Sequence, residues 1–366
     1  MPRDAPGNLL LSAFAEPRGV ARLSVPQWDQ LIRLARAEQV LARLGAYLRQ
    51  HGVDESLYPE RVADLFQGAR AYPNLIAARA HWELHQVLAA TRHLGVELVL
   101  LKGAAYLEAG LPLAEARTFA DLDLLVPREQ LAAVEQALLA RGWEHQQLHP
   151  YDQRYYREWM HEIPPLRHAQ RFIEVDLHHR LLPQTSRLNP RPELVLAGAR
   201  PVRSRVRVPA PTDLLLHSAT HLFYDGDIAG RFRELLDLHL LFEQFGPIEG
   251  FWAALPGRAR ELELERPLFY AVRCCAALLE TPFPAKFRAA VARRGAPVLT
   301  RTVLVWAMRR VLLPRRPGIR RPRFSAWLLY VRSHWLRMRP RLLANHLIRK
   351  AWRRMTGTLA PPAGGT

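Results

Sequence analysis

The sequence predicts an α+β fold, a sheeted core flanked by helical regions at both ends. Three observations carry this reading. Residues 96–101 (VELVLL) are an almost wholly apolar run stopped by Lys102-Gly103, as expected of a strand buried on both faces. Residues 118–126 (TFADLDLLV) read as a second strand with two carboxylates set into it. Residues 171–178 (RFIEVDLH) alternate, with Ile173, Val175 and Leu177 on one side and Glu174, Asp176 and His178 on the other.

Taken in order, residues 1–74 form a predicted N-terminal helical region behind a loose arm. Ser24 caps a helix with Pro26 in its first turn, and Leu31, Leu34, Ala35, Leu41, Leu44 and Leu48 supply one apolar stripe that ends at Gly52. A second helical pattern covers 58–66. The core, 75–200, opens with a helix over 75–94 in which Ile76, Trp82, Leu84, Val87 and Leu88 are available for packing and Gly95 is the stop. After the first strand, 104–109 fits a short helix closed by Gly110-Leu111-Pro112. Pro127 starts another, with Leu131, Val134 and Leu138 inward and Gly142 at its end; 143–148 then reads as an edge strand. Residues 151–165 show no period. Residues 201–280 form a predicted C-terminal helical domain with helices over 209–224 and 231–245. Residues 281–366 make a basic, aromatic-rich helical tail.

Composition bounds the function. The 366 residues suffice for two or three domains with real cores, and 49% hydrophobic with 23% charged content is ordinary for a globular protein. The only cysteines, Cys274 and Cys275, are adjacent, so neither a disulfide framework nor a thiolate zinc cluster is expected. No signal-peptide pattern and no membrane-length apolar run is found, which makes a cytoplasmic protein, or a membrane-peripheral one, the expectation. The net charge of +18 is unevenly placed: 281–366 holds 20 Lys plus Arg and no acid, whereas the rest of the chain nets −2. No P-loop, protein-kinase signature or HExxH zinc motif occurs.

Side chains alternate along a strand, so Asp121 and Asp123 share one face and Leu122 and Leu124 the other. Two like charges on an apolar strand repel and lose hydration. A cation between them repairs both faults, and magnesium takes carboxylate oxygens while leaving positions for phosphates.

The order strand, Lys-Gly, helix, Arg117, strand with Asp-x-Asp resembles a nucleotidyltransferase family within the polymerase-β-like superfamily. The resemblance covers roughly residues 75–245, and its most specific piece is LLKG followed by R-x-x-x-D-x-D-L-L-V. It implies a core of a small mixed sheet with helices, Mg2+ or Mn2+ as cofactor, and transfer of a nucleoside monophosphate from an NTP to a hydroxyl-bearing acceptor with release of pyrophosphate. Asp121 and Asp123 would hold the two metal ions. Asp176, within EVDLHHRL, would be the third carboxylate, nearest the acceptor hydroxyl, with Glu174 as its alternative and His178 on the same face. Backbone N–H groups around Gly103 and Ala104 would cradle the triphosphate, with Lys102 and Arg117 adding charge. The superfamily's Gly-Ser or Gly-Gly turn is Lys102-Gly103-Ala104 here, so a serine contact is missing. His221, Arg233 and Asp237 match residues that recur in the family's C-terminal helices, on the substrate side.

Simpler readings stand beside these. Glu174, Asp176 and His178 fit a wet sheet surface, and Lys102 a lysine snorkelling to the sheet edge. Arg117 fits an ion pair with Glu115 or a site carboxylate. Arg233 and Asp237 sit at i, i+4, the spacing of a local helical pair worth a few tenths of a kcal/mol. The acceptor is left open among a small molecule, a protein side chain and an RNA end. Two rivals are a non-catalytic nucleotide- or RNA-binding module, and a membrane-peripheral accessory protein of polysaccharide or peptide biosynthesis.

In the tail, 324–339 can form a helix with Phe324, Trp327, Val331, Trp335 and Met338 along one stripe and Arg332 and Arg339 beside it. Pro340 breaks it, and 342–352 repeats the theme beside Arg349, Lys350, Arg353 and Arg354. Three uses fit: a cap whose aromatic stripe packs on the core while its arginines stay solvated, RNA binding, or binding to an anionic membrane surface.

Overall fold

Leu98–Leu100 forms β1, and each of its residues is almost wholly buried, as the unbroken apolar run requires. The computed structural model describes residues 8–146, 156–224, 227–293, 298–316 and 318–337. Within them β1 pairs antiparallel with β2 (Asp121–Leu125), and β2 pairs parallel with β5 (Glu174–His178). β3 (Trp143–His145) and β4 (Leu166–His168) extend the sheet on one side, β7 (Val206–Val208) and β6 (Arg200–Arg203) on the other. The order is β3-β4-β5-β2-β1-β7-β6, a mixed seven-stranded sheet with the segment after Gly142 at its edge. The fold is α+β, as the sequence predicts.

Ahead of the sheet lie α1 (Leu9–Ala15), α2 (Val25–Ala37), α3 (Leu41–Gln50), α4 (Glu60–Ala69) and α5 (Ala71–Ala90). The backbone N–H of Ser24 donates to Gln27 Oε1 at 2.8 Å, which fixes the start of α2. The single helix expected across Leu31 to Leu48 is two. Gln39 adopts φ 57°, a left-handed turn that separates α2 from α3, while the apolar spacing continues through it and so hides the break. On α5 the expected packing of Trp82 is reversed: it is exposed, and Glu83 is buried instead. Glu83 accepts from Trp143 Nε1 at 2.8 Å and pairs with Arg171 at 2.7 Å, tying α5 to the sheet edge. Gly95, at φ 63°, turns the chain into β1.

α6 (Lys102–Glu108) and α7 (Arg128–Leu139) follow β1 and β2; Val134 and Leu138 of α7 are fully buried and Leu131 partly so. Beyond the sheet come α8 (Pro192–Gly198), α9 (Pro211–Tyr224), α10 (Phe232–Phe245), α11 (Phe251–Glu261), α12 (Glu265–Leu278), α13 (Ala285–Ala292), α14 (Val298–Leu312) and α15 (Arg323–Arg337). One hydrophobic cluster runs from Leu10 through the sheet to Leu336.

α15 lies where the tail helix is expected, with the opposite face inward. Leu329 and Leu336 are buried, whereas Phe324, Trp327, Val331 and Trp335 are exposed. Arg332, expected to stay solvated, turns in: its Nη1 donates to Phe223 O at 2.8 Å, and its guanidinium lies 4.9 Å from the Tyr224 ring and 5.0 Å from that of Tyr270. Small Ser325 and Ser333 on the docked side let the helix approach the body closely, which the aromatics do not. The cap with its aromatic stripe packed on the core is therefore not what forms. Met338, Arg339, Pro340 and the repeat over 342–354 lie outside the described residues.

Candidate active site

The register between β2 and β5 sets Asp121 opposite Glu174 and Asp123 opposite Asp176. Alternation then places all four acids on one face, while Leu122, Leu124, Val175 and Leu177 are buried on the other. Asp121, Asp123 and Asp176 each offer an oxygen within 4.8 Å of the other two. Glu174 is engaged elsewhere, its Oε1 accepting from Gln146 Nε2 at 2.7 Å.

Lys102 and His178 converge on Asp123. Lys102 Nζ donates to Oδ1 at 2.7 Å, and His178 Nε2 lies 2.9 Å from the same oxygen and 3.4 Å from Glu162. Burial alone would raise Asp123, but Lys102 and His178 outweigh it and hold the carboxyl well below the usual range. Its neighbours move the other way. The negative charge of Asp123, then burial, raises Asp121. Burial, then Asp123 and Glu162, pushes Asp176 up to about 8.

Asp176 Oδ1 is buried and accepts no hydrogen bond. Buried carboxylate oxygens are normally satisfied, so an orphan on a residue clustered with two more carboxylates marks a place for a cation. Three carboxylates are hard oxygen donors, the set that suits magnesium or manganese. The residues present fit a divalent ion.

Lys102 reaches Asp123 from a strained turn. It holds φ 47°, a left-handed conformation costing a side chain roughly 1–2 kcal/mol, whereas Gly103 does not adopt positive φ. The glycine answers a different demand: a Cβ there would lie 2.9 Å from the Phe119 ring and closer still to Arg117 Nη1. Ala104 is buried in the first turn of α6.

Arg117 is itself held from below. Its Nε and Nη2 donate to Asp237 Oδ2 at 3.1 and 3.0 Å, and Arg43 Nη1 donates to Oδ1 at 2.5 Å. All three side chains are less than a tenth exposed. The local Arg233–Asp237 pair and the Arg117–Glu115 pair do not form. Asp237 takes Arg117 and Arg43, Arg233 Nη1 donates to Thr118 Oγ1 at 3.4 Å, and Glu115 takes Arg49 and Gln50. A cleft of about 210 Å³ brings Lys102, Gly103, Arg117, Asp121, His221, Arg233 and Asp237 together, and so gathers residues nominated from distant parts of the chain.

A family model described as "Uncharacterised nucleotidyltransferase" matches residues 24–280. The chain belongs to this family. The matched region starts at the cap of α2, well before the resemblance read from the sequence, so it takes in Arg43; it stops where the acid-free tail begins. Neither curated proteins nor solved structures yield a match. For a member of the uncharacterised nucleotidyltransferase family, nucleotidyl transfer is the general chemistry, and an acidic cluster able to hold a metal is present. No helix among the described residues is long and apolar enough to cross a membrane.

Reading from sequence missed Arg43 and Glu162. Arg43 carried a signal, because it falls on the stripe Val40, Leu44, Tyr47, Leu48, where only a paired arginine can be buried. Glu162 carried none; it lies in the aperiodic segment and is brought back by an isolated bridge to His178.

His179, 4% exposed and next in the chain after His178, bears on stability through its burial. Arg128 Nη1 is 3.3 Å from its Nδ1, and since arginine keeps its protons, Nδ1 must be the acceptor. Burial, then Arg128 and Arg180, pushes its pKa down to about 4. A depressed folded pKa gives stability that is complete above the ordinary value of 6.5 and lost as pH falls toward 4. His179→Asn is expected to lose about 2 kcal/mol less stability than the native chain between pH 7 and pH 5 in denaturant titrations, the rest of the pH dependence coming from other buried groups such as His217 and His239. An unchanged slope in the variant would rule His179 out as the source.

Proposed function

We propose that the chain transfers a nucleoside monophosphate from an NTP to a hydroxyl-bearing acceptor. The acceptor oxygen bonds to the α-phosphorus, the bond to pyrophosphate breaks, and the hydroxyl proton leaves. The observation that supports this best is the Asp121, Asp123, Asp176 trio with the orphaned Oδ1 of Asp176. These residues would hold magnesium or manganese ions, which when bound neutralise charge on the phosphates and on the attacking and leaving oxygens. Lys102 and the backbone of Gly103 and Ala104 take the phosphate side. Arg117, locked on Asp237, supports that turn. Asp176, the carboxylate with an uncommitted oxygen, serves the acceptor side and helps remove the proton. His221 and Arg233, across the cleft, face the bound nucleotide.

One observation favours a second reading. Lys102 places an ammonium on Asp123, where a cation would otherwise sit, as suits a fold that binds nucleotide without turnover. Incubation with each α-labelled NTP, magnesium or manganese, and cell extract separates the two. Transfer gives a labelled acceptor and released pyrophosphate; retained NTP with neither product would replace it by the binding module.

A further inference from the structure

We propose that the C-terminal helical region docks on an anionic lipid surface through the aromatic stripe of α15 and the arginines around it. This rests on a different part of the molecule from the transfer reaction. Phe324 is 63% exposed, Trp327 58%, Trp335 50%, Tyr330 47% and Val331 46%. Helical spacing puts Phe324, Trp327, Val331 and Trp335 along one side, opposite the docked residues Leu329, Ser333 and Leu336. Trp335 is flanked by the Arg187 guanidinium at 4.1 Å. Just ahead of the helix, Ile319 is 53% exposed.

Leaving this much aromatic and aliphatic surface in water is unfavourable for a folded chain unless something else covers it. Charge says what. Arg316 and Arg320 ahead of the helix and Arg323 at its start are exposed, and residues 281–366 carry 20 basic and no acidic side chains, so the partner is anionic. The side-chain types choose among anions. Nucleic-acid bases stack on rings, but Val331 and Ile319 offer none; they gain only by entering hydrocarbon. Tryptophan and tyrosine beside arginine suit the headgroup boundary, where the ring is buried and the cation stays with phosphate.

The test uses the full chain with vesicles of phosphatidylcholine alone or mixed with phosphatidylglycerol, and in parallel with polyuridylate. Native protein is expected to co-sediment with the anionic vesicles, not with phosphatidylcholine alone, and to be released by salt. Phe324→Ser with Trp327→Ser should weaken vesicle binding at least about tenfold while leaving thermal unfolding unchanged. Arg320→Glu with Arg323→Glu should weaken it comparably. Three results would each overturn the proposal: aromatic variants that sediment like the native chain, aromatic variants that melt lower because the stripe packs on the body, or retention on polyuridylate that needs the stripe while vesicles are not bound.

Discussion

Asp121→Asn is expected to lower nucleotidyl transfer by at least about 10³-fold, the equivalent of about 4 kcal/mol in the barrier, while making the metal-free protein more stable. The opposite signs have one cause. Asp121 faces Asp123 across a buried patch, and their repulsion is what raises its pKa. Asparagine removes the repulsion together with a ligand. Magnesium or manganese should raise the melting temperature of the native chain by selective binding to the folded state, and this response should vanish in the variant. Pyrophosphate release and thermal unfolding with and without metal measure both arms. Native turnover in Asp121→Asn would sink the metal assignment.

Asp237→Ala is expected to cost 3–5 kcal/mol of stability, on the order of a third or more of what holds a typical domain together. The carboxylate divides its oxygens between Arg43 and Arg117, all three nearly excluded from water, and without it two guanidinium groups are buried with no counter-charge. Had Asp237 formed only the helical pair with Arg233, the loss would be a few tenths of a kcal/mol. Urea denaturation distinguishes these, and a small loss would mean that water reaches the arginines.

Strands and their carboxylates were legible because the signals are local: an apolar run stopped by Lys102-Gly103, and alternation over 171–178. Asp121 and Asp123 announce themselves by interrupting apolar strands, and β2 places them where alternation puts them. What stayed hidden depends on distance along the chain. Nothing near Asp237 says that its partners are at positions 43 and 117 rather than at 233. The left-handed Lys102 was hidden because the glycine beside it looked like the reason for the turn. On α15, spacing defined two sides correctly and hydrophobicity chose the wrong one to bury, because a docked face of serine and leucine approaches more closely than one of tryptophan and phenylalanine.

Five successive residue pairs hold β2 against β5. The separations among Asp121, Asp123 and Asp176 are thus inherited from the peptide ladder, not from the choice of side-chain rotamers. A one-residue slip of β5 would throw Asp176 through to the opposite side of the sheet, into hydrocarbon and away from Asp121 and Asp123. An ion held there would meet donors whose freedom was already surrendered when the strands zipped together during folding. Chelation would then empty such a site without unravelling the strands that define it.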